Sequence, residues 1–590
     1  TYRELRRLEL DVLQAARQFG EPDTEQVFKL FKVSLGQFHG IEIEEFPAQV
    51  AQVAMWLTQH QMDLVAGEAF GEYFRHLPLD VSAQIRHGNA LRLDWEAFVP
   101  PGKLNYILGN PPFLGKKEQS SEQKEDFEFV AGKIKGAGVL DFVACWYLKA
   151  AQYTSGTKEG FVSRDKAKFT DVQFKGDGEK AKKRKPVNAG IEDIFVAFDR
   201  EEKVAREQVR CAFVSTNSIT QGEQVSVLWS ELFRRGIKIR FAHRTFKWSN
   251  DAPGKAAVHC VIIGFGIEDA VDKRLFDYAQ IDGPAHELAV KNINAYLADA
   301  PDVLADKRSD PLDSSTPRIR YGSMPIDSGH LILSDADRIQ MITEDPKTQP
   351  WIRRYLGGEE FLNGISRWCL WLTRLPPHEL AHREPIKKRV QATKDFRAKS
   401  DRKTTNKLAT TPTLFGEIRQ PQKDYLLLPK VSSERRAYLP IGFCPENWIA
   451  SGSALIVPDA KNYHLGILQS AMHMAWMRAV AGRMKSDYQY SSGIVYNNFP
   501  WPQVLDEAQR AAIDTAAQNV LDARAAHAGS TLAQLYDPDT MPPNLVKAHQ
   551  VLDRAVDTAY RADGGARSYA GDAERVAFLF RRYAQLTSLV

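Results

Sequence analysis

The chain has 590 residues, a length that suggests three or four domains, and its 43% hydrophobic and 26% charged residues are an ordinary globular balance. A net charge of only +4 excludes a polycation, so a nucleic-acid partner would have to bind a local basic surface. The five cysteines are odd in number and widely spaced, and there is neither a signal peptide nor a membrane-length apolar run, so we expect buried thiols in a cytoplasmic protein with no membrane contact, disulfide framework or metal site.

The first hundred residues alternate predicted helices and strands. An amphipathic pattern predicts a helix over residues 2–19, and the apolar segment 38–43 ends in acidic residues. A carboxylate at such a strand end can hold ribose hydroxyls, which makes Glu42 a candidate cofactor ligand, although it could equally belong to a solvated acidic face. In the next predicted strand and loop, at 85–91, Asn89 could hydrogen-bond an adenine edge or simply form a turn.

The most informative stretch is 106–113, an apolar run that ends in Asn110, Pro111, Pro112 and Phe113. Two consecutive prolines stop a strand and stiffen the turn that follows it. The Asn110 side-chain oxygen and the Pro111 carbonyl could both accept hydrogen bonds from an amino group and direct its lone pair toward a sulfonium methyl. Phe113 offers a flat face to an extruded base. This pattern predicts methyl transfer to a ring-conjugated amine; the alternative is a strand-terminating turn with an aromatic plug.

The residues after this stretch are predicted to flank the site. The polar, lysine-rich segment 114–137 indicates a loop, and Asp141 is placed to cap an apolar helix at 142–153. Residues 155–190 are rich in Gly, Asp and Lys and contain few large apolar groups, which predicts an insertion.

Strand and helix patterns then alternate through residue 265, which predicts a doubly wound α/β sheet. Phe246 and Trp248 fall on a predicted loop near the edge of this sheet. They could stack on the other face of a flipped base, or they could belong to the core.

The second half of the chain carries the densest basic segment. Residues 268–350 are predicted to join two domains, and residues 383–407 contain ten Lys or Arg against three Asp or Glu. A solvated basic helix is suited to DNA phosphates. The candidate phosphate contacts are Lys387, Lys388, Arg389, Arg397, Lys399, Arg402 and Lys403. The candidates for reading base edges, on what could also be an ordinary charged hairpin, are Ser433, Glu434, Arg435 and Arg436.

Several motifs together resemble the MmeI-like family of fused type IIL restriction–modification enzymes. They are Tyr2–Arg6, Gly109–Phe113, Ser215–Gly222, Phe246–Asn250, Arg367–Leu372, Leu414–Gln420 and Tyr496–Pro502. The resemblance implies S-adenosylmethionine as donor and methylation of adenine N6 in double-stranded DNA. It also implies a class I methyltransferase sheet over 1–300, a mixed α+β target-recognition domain over 301–502 and a small helical domain over 503–590.

Two features of that family have no counterpart in this sequence, namely a glycine-rich cofactor loop after the first strand and an N-terminal nuclease. We therefore expect the chain to be the modification and recognition part of a longer polypeptide, and to bind the methyl donor poorly by itself. A non-catalytic DNA-recognition subunit that works with a partner chain is the main alternative. Methylation of a protein glutamine is a third reading, since its amide nitrogen poses the same lone-pair problem.

Overall fold

The computed structural model describes seven stretches of the chain, which are residues 1–18, 31–71, 81–156, 204–248, 258–484, 486–503 and 505–588. The predicted insertion at 155–190 lies, apart from its first two residues, outside the described residues. The elements fall into three successive regions, and the boundaries of the predicted helices and strands shift by a few residues in most of them.

The first region holds the site and is built from helices and from strands that pair in both parallel and antiparallel directions. Its helices are α1 (Tyr2–Gln18), α2 (Glu45–Phe70), α3 (Trp95–Phe98), α4 (Ser121–Ala131), α5 (Ala144–Ser155) and α6 (Glu223–Arg234). Its strands are β1 (His39–Glu42), β2 (Gln84–His87), β3 (Tyr106–Gly109), β4 (Arg210–Thr216), β5 (Lys238–Trp248), β6 (Val258–Gly266), β7 (Lys273–Tyr278) and β8 (Ala285–Val290).

The strands of this region form two sheets. The larger has the order β3-β4-β6-β5-β7-β8, in which β3 and β4 are parallel and β6 is antiparallel to both of its neighbours. Strands β1 and β2 form a separate parallel pair. Within the described residues, β1 and β3 therefore each pair on one side only, and each leaves a strand edge without a partner. In the exposed row of β3, Tyr106 is 59% and Leu108 55% exposed, although both are apolar.

Two expectations about this region are corrected. Phe246 and Trp248 were predicted on a loop, but they lie in the last three residues of β5, where the pairing with β6 continues to Trp248. The segment predicted to be only a junction also contributes β7 and β8, which extend the large sheet, because their residues pair with β5 and with each other.

The second region is a mixed α+β assembly. Its helices are α7 (Asp335–Glu344), α8 (Gly358–Asn363), α9 (Pro377–Ala381), α10 (Glu384–Ala398), α11 (Lys403–Lys407), α12 (Asn462–Leu468) and α13 (Ala471–Val480). Its strands are β9 (Arg320–Tyr321), β10 (Ile332–Leu333), β11 (Ile352–Leu356), β12 (Trp368–Leu370), β13 (Tyr425–Pro429), β14 (Val431–Ser432), β15 (Gly442–Cys444), β16 (Ile449–Ala450), β17 (Ala454–Pro458), β18 (Gly482–Met484) and β19 (Asp487–Gln489).

The second-region strands form three small sheets, with the orders β10-β12-β11-β16, β15-β13-β17-β9 and β14-β19-β18. The third region is helical and consists of α14 (Glu507–Ala525), α15 (Leu532–Leu535), α16 (Pro543–Ala559) and α17 (Asp572–Ser588). None of the helices in the described stretches has both the length and the apolarity to cross a bilayer.

One large hydrophobic core runs through all three regions. It includes Tyr147 and Phe213 of the first region, Trp476 of the second and Phe580 of the third. All five cysteines are buried thiols. The three regions are therefore packed against each other through apolar contacts, which fixes the first region relative to the rest.

Candidate active site and nucleic-acid interface

A cavity of about 610 Å³ lies between the carboxyl ends of β1 and β3. Glu42 and Asn89 line it on one side, and Asn110, Pro111 and Pro112 line it on the other. This volume is within the usual range for cofactor and ligand sites. The structure thus brings together most of the predicted catalytic and cofactor-binding residues, although they are up to 70 positions apart in the sequence.

The Asn110 side chain is exposed at the rim of this cavity, directly after the last residue of β3. In the part of the chain that the structure describes, no protein group hydrogen-bonds its amide. Pro111, which follows, is buried, and Pro112 is exposed. The amide is consequently available to a ligand, while the backbone beside it is held by a buried proline ring.

Close packing under the loop depends on Gly109. A Cβ atom at this position would lie 3.2 Å from two ring atoms of Phe213 on the adjacent strand β4. The Phe213 ring in turn packs edge-on against Tyr147, whose hydroxyl is 2.7 Å from the Ser215 hydroxyl. The base of the Asn110–Phe113 loop therefore rests on a layer of packed aromatic rings.

The two predicted cofactor ligands differ in how free their side chains are. Glu42 ends β1, and one of its carboxylate oxygens accepts the Glu44 N–H at 3.2 Å. The Asn89 amide donates to Asp126 at 2.6 Å and accepts the Leu91 N–H at 2.9 Å, so it also holds its own loop. Glu42 retains a free carboxylate oxygen for a hydroxyl group, whereas Asn89 keeps one N–H and one lone pair.

The three aromatic residues predicted to stack on a flipped base do not line the cavity. Phe113 is half-buried and packs against the large core, and it does not line the cavity. Phe246 stacks on Tyr278 with ring centroids 5.3 Å apart, and Trp248 is 39% exposed beyond it. Both lie at the same sheet edge as Asn110, but three strand spacings, roughly 14 Å, separate β5 from β3.

The basic segment of the second region divides into buried and exposed side chains. Arg397, predicted to contact phosphate, is 0% exposed, and its guanidinium donates to five backbone carbonyls. That prediction is corrected, because a fully hydrogen-bonded buried group cannot reach DNA. Arg389 is half-buried and bonds Asp337 at 2.7 Å and two carbonyls. The exposed members are Lys387, Lys388, Lys399, Arg402 and Lys403.

The candidate base-reading segment lies on the side facing the first region. Glu434 pairs with Arg483 of β18 at 3.1 Å, and Arg435 pairs with Asp539 of the third region at 2.5 Å. Burial lowers the pKa of Arg436. Ser433 is partly exposed. Only part of this segment therefore has side chains without an internal charge partner.

A cavity of about 270 Å³ separates this segment from the large sheet. Gln221 and Arg244 line it from the first region and Glu434 and Arg483 from the second. Beside it, the Gly222 N–H donates to the Val480 carbonyl at 3.0 Å. The first and second regions therefore meet directly beside this cavity, whereas the α10–α11 surface bonds only to its own region in the described contacts.

One buried carboxylate next to the catalytic loop was predicted only as a helix cap. Asp141 is 8% exposed, and its carboxylate accepts the N–H of Leu114, four residues after Asn110, at 3.2 Å. Burial raises the pKa of Asp141, while hydrogen bonds from Val143 and Leu114 oppose that shift. The predicted cap is corrected, because the helix begins at Ala144 with Val143 at the N-cap position, and the Asp141 carboxylate instead bonds the loop 27 residues earlier in the sequence.

Models of one protein family match three successive parts of the chain. The MmeI DNA-methyltransferase domain matches residues 1–169 and 166–277, the MmeI target recognition domain matches 299–503, and the MmeI C-terminal domain matches 504–590. These matches define the class of protein as a DNA methyltransferase joined to a target recognition domain.

Comparisons with individual proteins agree with these matches. The chain is similar to the type IIL restriction–modification enzyme MmeI, solved in complex with DNA, at 43% identity and a TM-score of 0.77, over 100% of this chain and 71% of that one. It is 37% identical over 592 residues to DNA methyltransferase A of Bacillus subtilis (strain 168), and it spans 60% of that relative's length. The chain belongs to the MmeI family of type IIL restriction–modification enzymes.

Proposed function

We propose that the chain transfers a methyl group from S-adenosylmethionine to N6 of an adenine flipped out of double-stranded DNA, as the modification and recognition part of a restriction–modification enzyme. The observation that carries this proposal is the Asn110 amide, exposed and unbonded at the rim of a 610 Å³ cavity. Similarity to MmeI, solved with DNA, supports the choice of substrate. Both DNA and the methyl donor are cytoplasmic, which is where we expect the protein to act.

The chemistry follows from what the loop presents to an amino group. The lone pair of adenine N6 is delocalised into the ring, so the nitrogen is a poor nucleophile. The Asn110 oxygen and the Pro111 carbonyl each accept one N–H, which turns the lone pair out of the ring plane and aims it away from the loop. Phe113 packs into the core behind the loop, so stacking on the base is assigned to Phe246 or Trp248 at the same sheet edge. These contacts act in the transition state, where hydrogen bonding to the amino group is strongest.

The cavity has the donor and acceptor set that this cofactor needs. S-adenosylmethionine supplies an electrophilic methyl on a positively charged sulfur. Glu42 would accept hydrogen bonds from its ribose hydroxyls, and the remaining polar positions of Asn89 would contact its adenine. Apolar side chains of β1 and β3 also line the cavity.

The edges of β1 and β3 that no described strand covers support a further partner for this site. We infer that a strand and glycine-rich loop from the nuclease-bearing portion of a longer enzyme pairs with both edges and completes the donor site. The same open edges favour the second candidate function, a recognition subunit that needs another chain for chemistry. Titration calorimetry of this chain with S-adenosylmethionine should give an affinity weaker than micromolar. A micromolar dissociation constant would contradict the inference that a further strand is needed to complete the donor site.

DNA contacts are assigned to two surfaces. The exposed side chains Lys387, Lys388, Lys399, Arg402 and Lys403 are proposed to bind phosphates, with a smaller contribution from Arg389. The segment 433–436 is proposed to read base edges, chiefly through Ser433 and Arg436, because Glu434 and Arg435 have charged partners within the protein. We assign these surfaces to a recognition domain over 301–502, between the methyltransferase domain and the helical domain.

Replacing Asn110 tests the proposal most directly. In the full-length enzyme, Asn110→Ala removes one of the two acceptors for the amino group, and we expect at least a ~100-fold lower rate of methyl transfer, the size of effect seen when one transition-state hydrogen bond is removed. The measurement is single-turnover transfer of tritiated methyl from the donor to plasmid DNA.

Asn105→Ala is the matched control, because Asn105 is also exposed but stands at the opposite end of β3. Wild-type transfer by Asn110→Ala would refute the mechanism. DNA binding without any transfer by the wild-type enzyme would favour the recognition subunit instead. Glutamine methylation is tested by salt: DNA affinity that falls steeply with ionic strength is not expected of a protein-modifying enzyme.

A further inference from the structure

The loop that carries Asn110 is anchored at both of its ends. At its start, Gly109 pairs with Phe213 in the parallel ladder between β3 and β4. At its end, the Leu114 N–H donates to Asp141, and the Leu114 carbonyl accepts the Phe142 N–H at 3.1 Å. Only four residues lie between the anchors, and two are prolines with fixed φ. The positions of the Asn110 amide and the Pro111 carbonyl therefore depend on where Leu114 is held.

The Asp141 carboxylate is the centre of this second anchor. One oxygen accepts the N–H groups of Leu114 and Val143, at 3.2 and 3.3 Å, and the other accepts the Thr216 hydroxyl at 3.4 Å. Its own N–H donates to the Gln224 side chain at 2.8 Å. Asp141 thereby joins the loop to the end of β4 and to the first turn of α6.

This carboxylate is buried without a charged partner. No Lys or Arg in the described stretches forms an ion pair with Asp141, and neutral donors alone compensate its burial. A buried charge held only by hydrogen bonds is costly, so its stabilising value depends on the geometry of those donors. The loop N–H is one of them, which makes the loop and the carboxylate mutually dependent.

We propose that Asp141 is a positioning residue for methyl transfer, which fixes the exit of the Asn110–Phe113 loop so that both amino-group acceptors point into the cavity. The inference rests on the proposed function. Asp141 does not touch the substrate in this arrangement; it acts through the Leu114 backbone. Because the acceptors must be placed within a fraction of an ångström, loss of this anchor lowers the rate of transfer and not the affinity for DNA.

The test uses the full-length enzyme with Asp141→Ala, Asp141→Asn and the control Asp63→Asn. Asp63 is equally buried, at 8% exposed, but lies on α2 and pairs with Arg6, so it reports the cost of removing any buried carboxylate from this domain. Three quantities are measured: hydrogen exchange of the peptide spanning 110–120, the single-turnover rate of methylation, and the KM for DNA.

We expect Asp141→Ala to accelerate exchange in this peptide and to lower the transfer rate ~10- to 100-fold with KM within about twofold. Asp141→Asn retains a carbonyl acceptor for Leu114 and should restore transfer to within ~10-fold of wild type, while Asp63→Asn should leave exchange in the loop unchanged. Unchanged exchange in Asp141→Ala would show that Asp141 does not anchor the loop. Faster exchange with an unchanged rate of methyl transfer would show that the anchor has no role in the reaction. Absence of transfer in the wild-type enzyme itself would instead refute the proposed function.

Discussion

Single side chains in this protein have roles that their chemical type does not reveal. Arg397 and Lys399 are neighbours in one basic segment, yet the first is 0% exposed and donates to five carbonyls, whereas the second is exposed. The difference arises from helix geometry: Ile386, Val390 and Arg397 lie on the buried face of α10. An arginine on the apolar side of a helix organises the loops beneath it, while a lysine two positions further along is available to phosphate.

This contrast yields a paired prediction. Arg397→Met should destabilise the second region by about 3 kcal/mol or more, because it leaves several buried carbonyls without a donor. Lys399→Ala should change stability by less than about 0.5 kcal/mol but reduce the slope of log Kobs against log salt for duplex DNA by about 1. Denaturant unfolding and DNA titration at several salt concentrations measure the two effects. Equal loss of stability in both variants would contradict the division of the segment.

At the level of elements, the first and second regions meet at a close contact between two glycines, Gly222 and Gly482. Gly222 has φ +64° and ψ −150°, a conformation open essentially only to glycine, and its N–H bonds Val480. A Cβ on Gly222 would lie 3.1 Å from the backbone Cα of Gly482, the first residue of β18. Since backbone atoms cannot rotate away, the loop before α6 and the β18–β19 hairpin are held at a fixed separation.

Gly222→Ala should therefore destabilise the junction more than backbone strain alone would. We expect a loss of about 2–4 kcal/mol, from roughly 1–3 kcal/mol for a backbone conformation that alanine rarely adopts plus crowding against Gly482. Gly71→Ala is the comparison variant, because Gly71 has a left-handed φ of +75° with ψ 25° and nothing within 4 Å of the added Cβ, so it reports positive-φ strain without crowding. Thermal unfolding compares the two variants. A decrease in Tm for Gly222→Ala no larger than that for Gly71→Ala would show that Gly482 does not crowd the added Cβ.

At the scale of the whole molecule, a single apolar core joins three regions, and it encloses polar groups that cannot titrate freely. His473 is fully buried and bonds the Tyr490 hydroxyl at 2.9 Å, and His549 is fully buried and bonds the Tyr536 hydroxyl at 2.9 Å. Burial lowers the pKa of each imidazole to about 3. Both histidines are thus neutral in the folded protein and become charged on unfolding in mild acid.

The sign of the resulting pH dependence is fixed by these lowered pKa values. The stability that each neutral histidine contributes is present above the unfolded pKa of about 6.5 and is lost as pH falls below it. Between pH 7.5 and 5.0 we expect each histidine to reduce the free energy of unfolding by about 2 kcal/mol. Guanidinium unfolding at both pH values measures this loss. His549→Gln should remove about 2 kcal/mol of this loss; a pH-independent free energy would contradict the assignment.

The sequence by itself determined the features that depend on neighbouring residues. Two prolines after an apolar run are enough to stop a strand and present Asn110, because their φ angles are fixed by their own rings. The alternation of strands and helices through residue 265 likewise predicted the α/β sheet, and long contiguous motifs predicted the MmeI family, which the family models confirm.

Only the tertiary structure decided which distant groups meet. Asp141 contacts Leu114 and Gln224, which are 27 and 83 positions away, and Gly222 meets Val480 across two regions. Nor could local pattern place Phe246 in a strand, since its extended conformation is set by pairing with β6. The physical reason is the same in each case: turn geometry is encoded by adjacent residues, whereas burial and long-range hydrogen bonds depend on how the whole chain packs.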